Sequence, residues 1–300
     1  MSLSINCPLC KNLNSRITVV TKHVYGREGS AFYLCNSCEV IFQYPILSEK
    51  DEKIFYKKEF ENFMQKRTGK KNSWTKIDEH LKINEDNKQR RYNYLKKFTK
   101  GKNKILEIGC SSGFMLYDLK NKGNTCHGIE PSGFFQNYLK KNKIKLFPNM
   151  KKLIKQKASY DIIMHFFVLE HIRNPKDFLL DQLSLLKKNG KIVFEIPCYQ
   201  DALHKIYDIP EFERFYWSVA HPWYFNENSL KFLLKKLKKK FKIIRDQRYD
   251  LSNHLFWMKN GKPGGMKYYS KFLGESIEEK YKKNLISKGY FDTLVGIIYN

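Results

Sequence analysis

No apolar stretch in this 300-residue chain is long enough to cross a membrane. The longest, Ile162 to Leu169, is interrupted by His165 and falls far short of the roughly 20 residues a spanning helix requires. The amino terminus, MSLSINCPLC, has no basic segment leading into an apolar one, so no secretory leader is expected and the chain reads as cytoplasmic. Acidic residues are few, 30 Asp and Glu against 56 Lys and Arg, for a formal net charge of +26. Arginine is scarcer still, at nine against 47 lysines. Bidentate recognition of phosphates and bases leans on arginine. The charge therefore points first to solvated lysine faces such as Lys235 to Lys240, and only second to a polyanion groove. Disorder is excluded, because hydrophobic residues make up 42% of the chain and aromatics 15%, ample material for a core.

Seven cysteines are an odd number in a chain that reads as cytoplasmic, so metal ligation or free thiols are expected in place of a disulfide framework. Four of them are paired by spacing. Cys7 and Cys10 form one Cys-x2-Cys knuckle, Cys35 and Cys38 a second, with 24 residues between. Two knuckles on facing turns supply four thiolates to a tetrahedral ion, the pattern of a zinc ribbon. Ile17 to Tyr25 and Ala31 to Leu34 alternate as the strands that bring the turns together, with Gly26 and Gly29 at the bend. A redox Cys-x2-Cys usually occurs singly beside a helix, so the Zn2+ expected here is structural and does no chemistry itself.

Three segments follow from the change of pattern: a zinc ribbon over 1–48, a helical linker or lid over 49–100, and a cofactor-binding domain over 101–300. The linker is polar, lysine-rich and proline-free, with apolar residues at helical spacing around Ile54, Phe55, Phe60 and Phe63 and from Ile77 to Tyr94. After Gly101 short apolar runs alternate with amphipathic stretches. Strands are expected at Lys104–Ile108, Thr125–Ile129, Lys145–Phe147, Tyr160–Phe166, Lys191–Ile196, Phe241–Arg248 and Asp292–Tyr299. Helices are expected at Phe114–Lys122, Gly133–Lys141, Lys151–Lys157, Pro175–Leu186 and Glu227–Leu237. The alternation predicts an α/β fold with a doubly wound, mostly parallel sheet of seven strands.

The turn after the first of these strands reads Glu107-Ile108-Gly109-Cys110-Ser111-Ser112-Gly113. Gly109 and Gly113 let backbone approach a ligand, and the small Ser111 leaves room for it. The spacing is not the G-x-G-x-x-G of a nicotinamide site, and no G-K-[ST] follows as a Walker loop requires. Glu107 inside the turn would repel a phosphate but can accept from an amino group. Glu130, ending the next strand, can take both hydroxyls of an unphosphorylated ribose. Two carboxylates on consecutive strand ends favour S-adenosylmethionine over a dinucleotide.

These residues, with Gly128-Ile129-Glu130-Pro131-Ser132 and Asp161 to Ile172 (DIIMHFFVLEHI), resemble successive motifs of class I S-adenosylmethionine-dependent methyltransferases, which implies a Rossmann-like seven-stranded sheet. The resemblance covers Gly101 to Asn300. With the cysteine knuckles in front, the chain also resembles bacterial methyltransferases with a zinc-binding domain, associated with sugars and surface polysaccharides. The resemblance implies that Glu107, Gly109, Cys110, Ser111 and Gly113 surround the methionine end of the cofactor and that Glu130, followed by Pro131, holds the ribose. It also implies that His165 and Phe166 flank the transferred methyl. Ser111 stands where the family often has glycine, and Asn149 and Met150 stand where an acidic residue often contacts adenine.

Methyl transfer to a hydroxyl needs an acceptor lone pair in line with the sulfonium methyl and a group to take the proton. His171 in Leu169-Glu170-His171 and His221 in the aromatic stretch Phe212 to Phe225 are the candidates. Each has a plainer reading, His171 as a backbone cap and His221 as a packed imidazole. Cys198 reads as a buried thiol, while His254, in a glycine-bearing segment that ends at Gly265, could reach an acceptor from a mobile lid or turn. The leading expectation is methylation of a hydroxyl, ahead of an amine or a carbon, of a glycan sugar or nucleotide-sugar. RNA methylation, drawn by the basic charge, and a non-catalytic binding module are the alternatives.

Overall fold

The computed structural model describes residues 5–12, 16–69 and 76–300. Of the segments 1–48 and 49–100 expected from sequence, residues 1–4, 13–15 and 70–75 lie outside the described residues. Strands β1 (Ile17–Thr21), β2 (Ala31–Cys35) and β3 (Ile41–Tyr44) form an antiparallel meander. Helix α1 (Glu49–Ile54) runs through a π-helical turn at Phe55–Glu59 into α2 (Phe60–Thr68), and α3 (Ile77–Ile83) and α4 (Glu85–Leu95) follow.

The larger unit is built from β4 (Lys104–Ile108), α5 (Phe114–Asn121), β5 (Thr125–Ile129), α6 (Gly133–Lys141), β6 (Lys145–Phe147), α7 (Met150–Lys155), β7 (Tyr160–Phe166), α8 (Pro175–Ser184) and β8 (Leu186–Pro197). After these come α9 (Ala202–Lys205), α10 (Pro210–Tyr216), β9 (Trp223–Tyr224), α11 (Glu227–Lys235), β10 (Lys240–Asp246), α12 (Leu251–Asn260), α13 (Ser270–Leu273), α14 (Glu275–Ser287) and β11 (Thr293–Tyr299). Seven strands lie in the order β10-β11-β8-β7-β4-β5-β6, parallel from β8 to β6, with β11 antiparallel to both neighbours. This is the doubly wound α/β sheet expected from the sequence. Helices cover both faces, so the central strands are buried on both sides and read as nearly continuous apolar runs.

The four strands from β4 to β7 begin and end where the sequence pattern puts them. Strand β8 starts at Leu186, five residues before the expected Lys191, because α8 stops at Ser184 and the chain turns directly into the sheet. The segment from Leu251 differs more: its first ten residues form helix α12, ended by Gly261 at φ 59°, where a lid or turn was expected.

Strand β9 joins the other sheet. Its Trp223 and Tyr224 pair with Phe42 and Ile41, giving a four-stranded sheet β1-β2-β3-β9. The amino-terminal sheet is therefore completed by a strand from the segment after β8. The indole Nε1 of Trp223 then donates to the Ile172 carbonyl at 2.9 Å, tying that sheet to the turn after β7. Among the described residues no helix is long and apolar enough to cross a membrane.

Candidate functional site

The turn from β4 into α5 is tight because two positions exclude a Cβ. Gly109 sits at φ 69°, where a Cβ would lie 2.7 Å from Val168 Cγ2. Gly113 sits at φ 74°, where a Cβ would meet Leu139 Cδ2 at 2.5 Å. Ser111 also takes a positive φ, 48°, with a side chain to accommodate. Its loop is held by a residue the sequence reading missed. His80 on α3 is buried, with Nδ1 2.9 Å from Ser112 Oγ and Nε2 3.2 Å from Ser111 Oγ. Burial, with Arg91 adding to it, lowers the His80 pKa to about 4, so the neutral ring donates to one hydroxyl and accepts from the other.

Cys110 turns its thiol into the core, where a Cβ on Gly128 would stand 2.7 Å from Sγ, so only its backbone can face a ligand. Pro131 is exposed just beyond β5, and Asn149 caps α7 by accepting from the Lys152 N–H.

Glu107 and Glu130 come to neighbouring strand ends on β4 and β5. Both are buried. Glu130 accepts the backbone N–H of Ser111 on Oε2 at 2.5 Å and that of Ser132 on Oε1 at 2.8 Å, which fixes the carboxylate across the mouth of the turn. Burial pushes its pKa up to about 7 against the pull of those two N–H groups. Among the described residues Glu107 Oε2 has no hydrogen-bond partner, and burial pushes its pKa up to about 8 although Arg91 pulls it down. A buried carboxyl oxygen without a partner beside a glycine cradle suits a ligand that brings a donor. Ser132 Oγ in turn donates to Glu61, so α2 reaches to the strand end that bears Glu130.

Successive strand residues face opposite ways, and this separates two residues expected together. Phe166 lies beneath the Arg91 guanidinium, 4.3 Å from ring centroid to Cζ, on the Glu107 side of the sheet. His165 points to the other face. It is fully enclosed, stacked on Phe194 with ring centroids 5.0 Å apart and edge-on to Phe178. It is a core residue, and burial lowers its pKa to about 3. His254 is likewise corrected: it is buried on α12, with Nδ1 2.5 Å from Tyr281 Oη. Cys198 is a fully buried thiol, as expected.

His171 and His221 do come together, their ring centroids 4.7 Å apart. His171 Nδ1 donates to the Ala220 carbonyl at 2.6 Å, an acceptor it shares with Tyr56 Oη at 3.1 Å. Tyr56 belongs to the π-helical turn, and its ring and that of Phe60 stand edge-on to His171. Irregular helical turns of this kind recur where a side chain must be presented to a site. Burial lowers the His171 pKa to about 4. It lowers that of His221 further, with His171 and Arg67 adding to the effect, so both imidazoles are neutral.

The four knuckle cysteines converge. Cys7 Sγ lies 3.6 Å from Cys38 Sγ and Cys10 Sγ lies 3.7 Å from Cys35 Sγ, and all four sulfurs fall within 4.8 Å of one another. These separations are too long for disulfides and close to the edge of about 3.8 Å of a tetrahedron with metal–sulfur bonds of about 2.3 Å.

A family model described as a methyltransferase domain matches residues 78–237. Among curated proteins, a ubiquinone biosynthesis O-methyltransferase from Pelagibacter ubique is 30% identical over 93 residues, 29% of this chain and 39% of that protein. A tRNA U34 carboxymethyltransferase from Pseudoalteromonas translucida is 29% identical over 99 residues, 30% of this chain and 31% of that protein. The matched part of the chain thus spans between three and four tenths of the length of these relatives. Among solved structures, a SAM-dependent methyltransferase from Archaeoglobus fulgidus superposes with a TM-score of 0.50 at 18% identity, covering 71% of this chain and 92% of that one, which shows a shared fold.

Proposed function

The chain belongs to the methyltransferase-domain family, and from that premise we propose that it moves a methyl group from S-adenosylmethionine to a hydroxyl of a small polar acceptor, a sugar in free, nucleotide-linked or glycan form. The observation that carries the reading is the pair of strand-end carboxylates, Glu107 with its orphaned oxygen and Glu130 fixed by two backbone N–H groups, around a turn closed to any Cβ at Gly109 and Gly113. Glu107 would take the amino group of the methionine end and Glu130 the ribose hydroxyls. The backbone at Gly109, Cys110, Ser111 and Gly113, with Pro131 and Phe166, would line the rest. S-adenosylmethionine supplies, when bound, an electrophilic methyl. The chain's own task is to hold the acceptor oxygen in line with it and exclude water.

His171 and His221 handle the acceptor. Their neutral imidazoles sit between Tyr56, Phe60 and Tyr224, a wall of rings and polar nitrogens suited to a hydroxylated ring. In the same reading the four cysteines hold a structural Zn2+ in an amino-terminal ribbon over 1–48, residues 49–100 cover the cofactor, and residues 101–300 bind it. A second reading, methylation of RNA, draws on the net charge of +26 and on similarity to the tRNA carboxymethyltransferase. The two named relatives act on different acceptors, so likeness to them does not choose between the readings.

The test has two stages. Calorimetric titration with S-adenosylmethionine should give binding that Glu130→Ala weakens at least about tenfold, and unchanged affinity would sink the site assignment. Labelled methyl from S-adenosylmethionine, supplied with the enzyme to a bacterial extract, should then enter the sugar fraction. Label in RNA would select the second reading.

A further inference from the structure

Glu170, one residue before His171, is a buried carboxyl with no visible use. It is 1% exposed, and Oε2 has no hydrogen-bond partner among the described residues. Arg248 and Arg91 stand near enough to act on it electrostatically, but neither donates to that oxygen. A buried carboxyl oxygen left without a partner carries a desolvation cost, and structures retain it where something else completes it. His221 presents the same feature, for its Nδ1 is buried and also lacks a partner.

The three side chains converge. One donor atom from each of Glu170, His171 and His221 falls within 4.8 Å of the other two. His171 is oriented as a ligating histidine usually is, with Nδ1–H given to the Ala220 carbonyl, which leaves Nε2 as its basic nitrogen. Tyr56 Oη fixes that same carbonyl from the linker. Two neutral imidazoles and one carboxylate form a donor set for a divalent cation that accepts nitrogen, and three protein ligands leave a coordination position open.

We propose that Glu170, His171 and His221 form a second metal site, distinct from the four-cysteine cluster, that takes a divalent cation of the zinc type. The site deepens the reading of the His171–His221 pair as the group that handles the acceptor and rests on that reading for its purpose. A cation with an open position polarises a hydroxyl that enters it. Its existence, however, can be tested without any methyl transfer.

The experiment is metal analysis of the full-length chain after equilibration with Zn2+ and removal of free ion. About two zinc ions per chain are expected, falling to about one in Glu170→Gln and in His221→Asn, and to about one in Cys35→Ser. Cobalt provides a readout that needs no variant. Substitution at four thiolates gives intense sulfur-to-metal absorption, whereas a nitrogen and oxygen site adds weaker visible bands without it, and both sets are expected. One equivalent in the unaltered chain, or two retained in Glu170→Gln, would overturn the second site. S-adenosylmethionine binding measured on the same samples separates the two inferences. Cofactor binding with a single ion removes the second metal and leaves the methyltransferase reading intact, and two ions without cofactor binding do the reverse.

Discussion

His80 Nε2 stands 3.2 Å from Ser111 Oγ, at the residue where the loop between β4 and α5 takes a φ of 48°. A side chain in the left-handed region costs about 1–2 kcal/mol, and hydrogen bonds of this kind return about 0.5–1.5 kcal/mol each. Helix α3 therefore holds the loop in its shape. His80→Ala is expected to raise the S-adenosylmethionine dissociation constant roughly 5- to 20-fold. In a Ser111→Gly background the strain is relieved and the partner hydroxyl is gone, so the same change should cost less. Calorimetric titration of the four proteins of this cycle measures the coupling, and equal effects in both backgrounds would show that His80 acts elsewhere.

Glu130 gives the site a pH dependence with a definite sign. Burial pushes its pKa up to about 7, so in the free protein the carboxyl is protonated below that value and ionised above it. Only the ionised form offers both oxygens as acceptors to a ribose diol while keeping the two backbone N–H bonds. Cofactor affinity is therefore expected to rise between pH 6 and pH 8. Glu130→Gln should bind more weakly and with a flatter profile over this range. The folding linkage runs the other way, since a carboxyl with a raised pKa stabilises the free fold below its unfolded value, and that contribution is lost as pH climbs through 7.

Removing one cysteine ligand should be felt far from the cysteines. Strand β9 completes the amino-terminal sheet, and Trp223 in it donates to the Ile172 carbonyl, next to His171. Cys35→Ser is expected to lose one zinc per chain and with it the order of β1 to β3. Methyl transfer should fall by at least about tenfold while S-adenosylmethionine affinity changes little, because the loop between β4 and α5 belongs to the other sheet. A loss of both in parallel would mean that the ribbon holds the whole fold together.

The legible parts of this chain are those where local pattern and tertiary role coincide. Ile105, Leu106 and Ile108 form an apolar run bounded by Gly101 and Gly109, and its limits agree with β4 because the strand is buried on both faces. The same holds from β5 to β7. Strand β9 has two residues and no periodicity of its own, so only its pairing with Ile41 and Phe42 defines it. Helix α12 was obscured by the glycines that follow it, and α14 by the lysines and glutamates that dominate its exposed face. His80 could not be found from sequence, since its partners lie about thirty residues on and are joined to it only by the fold. The sequence does carry the signal that parts His165 from Phe166. Phe166 and His165 are neighbours in a strand, so both cannot face one ligand, and the period of two alone separates them.

The same face of the sheet carries a buried ion network that joins α4 to β8 and β10. Glu195 on β8 is fully buried; its Oε2 accepts from Arg91 Nε at 2.8 Å, and its Oε1 lies 2.6 Å from Arg90 Nη1, which also reaches Asp246 at 2.5 Å. Burial alone would raise the Glu195 pKa, but the two guanidinium groups outweigh it and hold the carboxyl below its ordinary value. A depressed carboxyl contributes stability that is complete above its unfolded pKa and is lost as pH falls through the folded one, so this network should fail only in acid, below the ordinary carboxylate range. Breaking it by Glu195→Gln leaves two arginines buried with reduced compensation and should cost about 3–5 kcal/mol in chemical denaturation at neutral pH. Replacing charge on both sides, with Glu195→Leu and Arg91→Met together, should cost less than the single change, because the apolar pair needs no desolvated partner. Arg91 lies on α4, directly after the helix that bears His80, and its guanidinium covers Phe166. Cofactor affinity should therefore drop in Glu195→Gln even under conditions where the protein remains folded. Full affinity in that variant would place the network in the scaffold alone and leave His80 as the linker's separate hold on the loop.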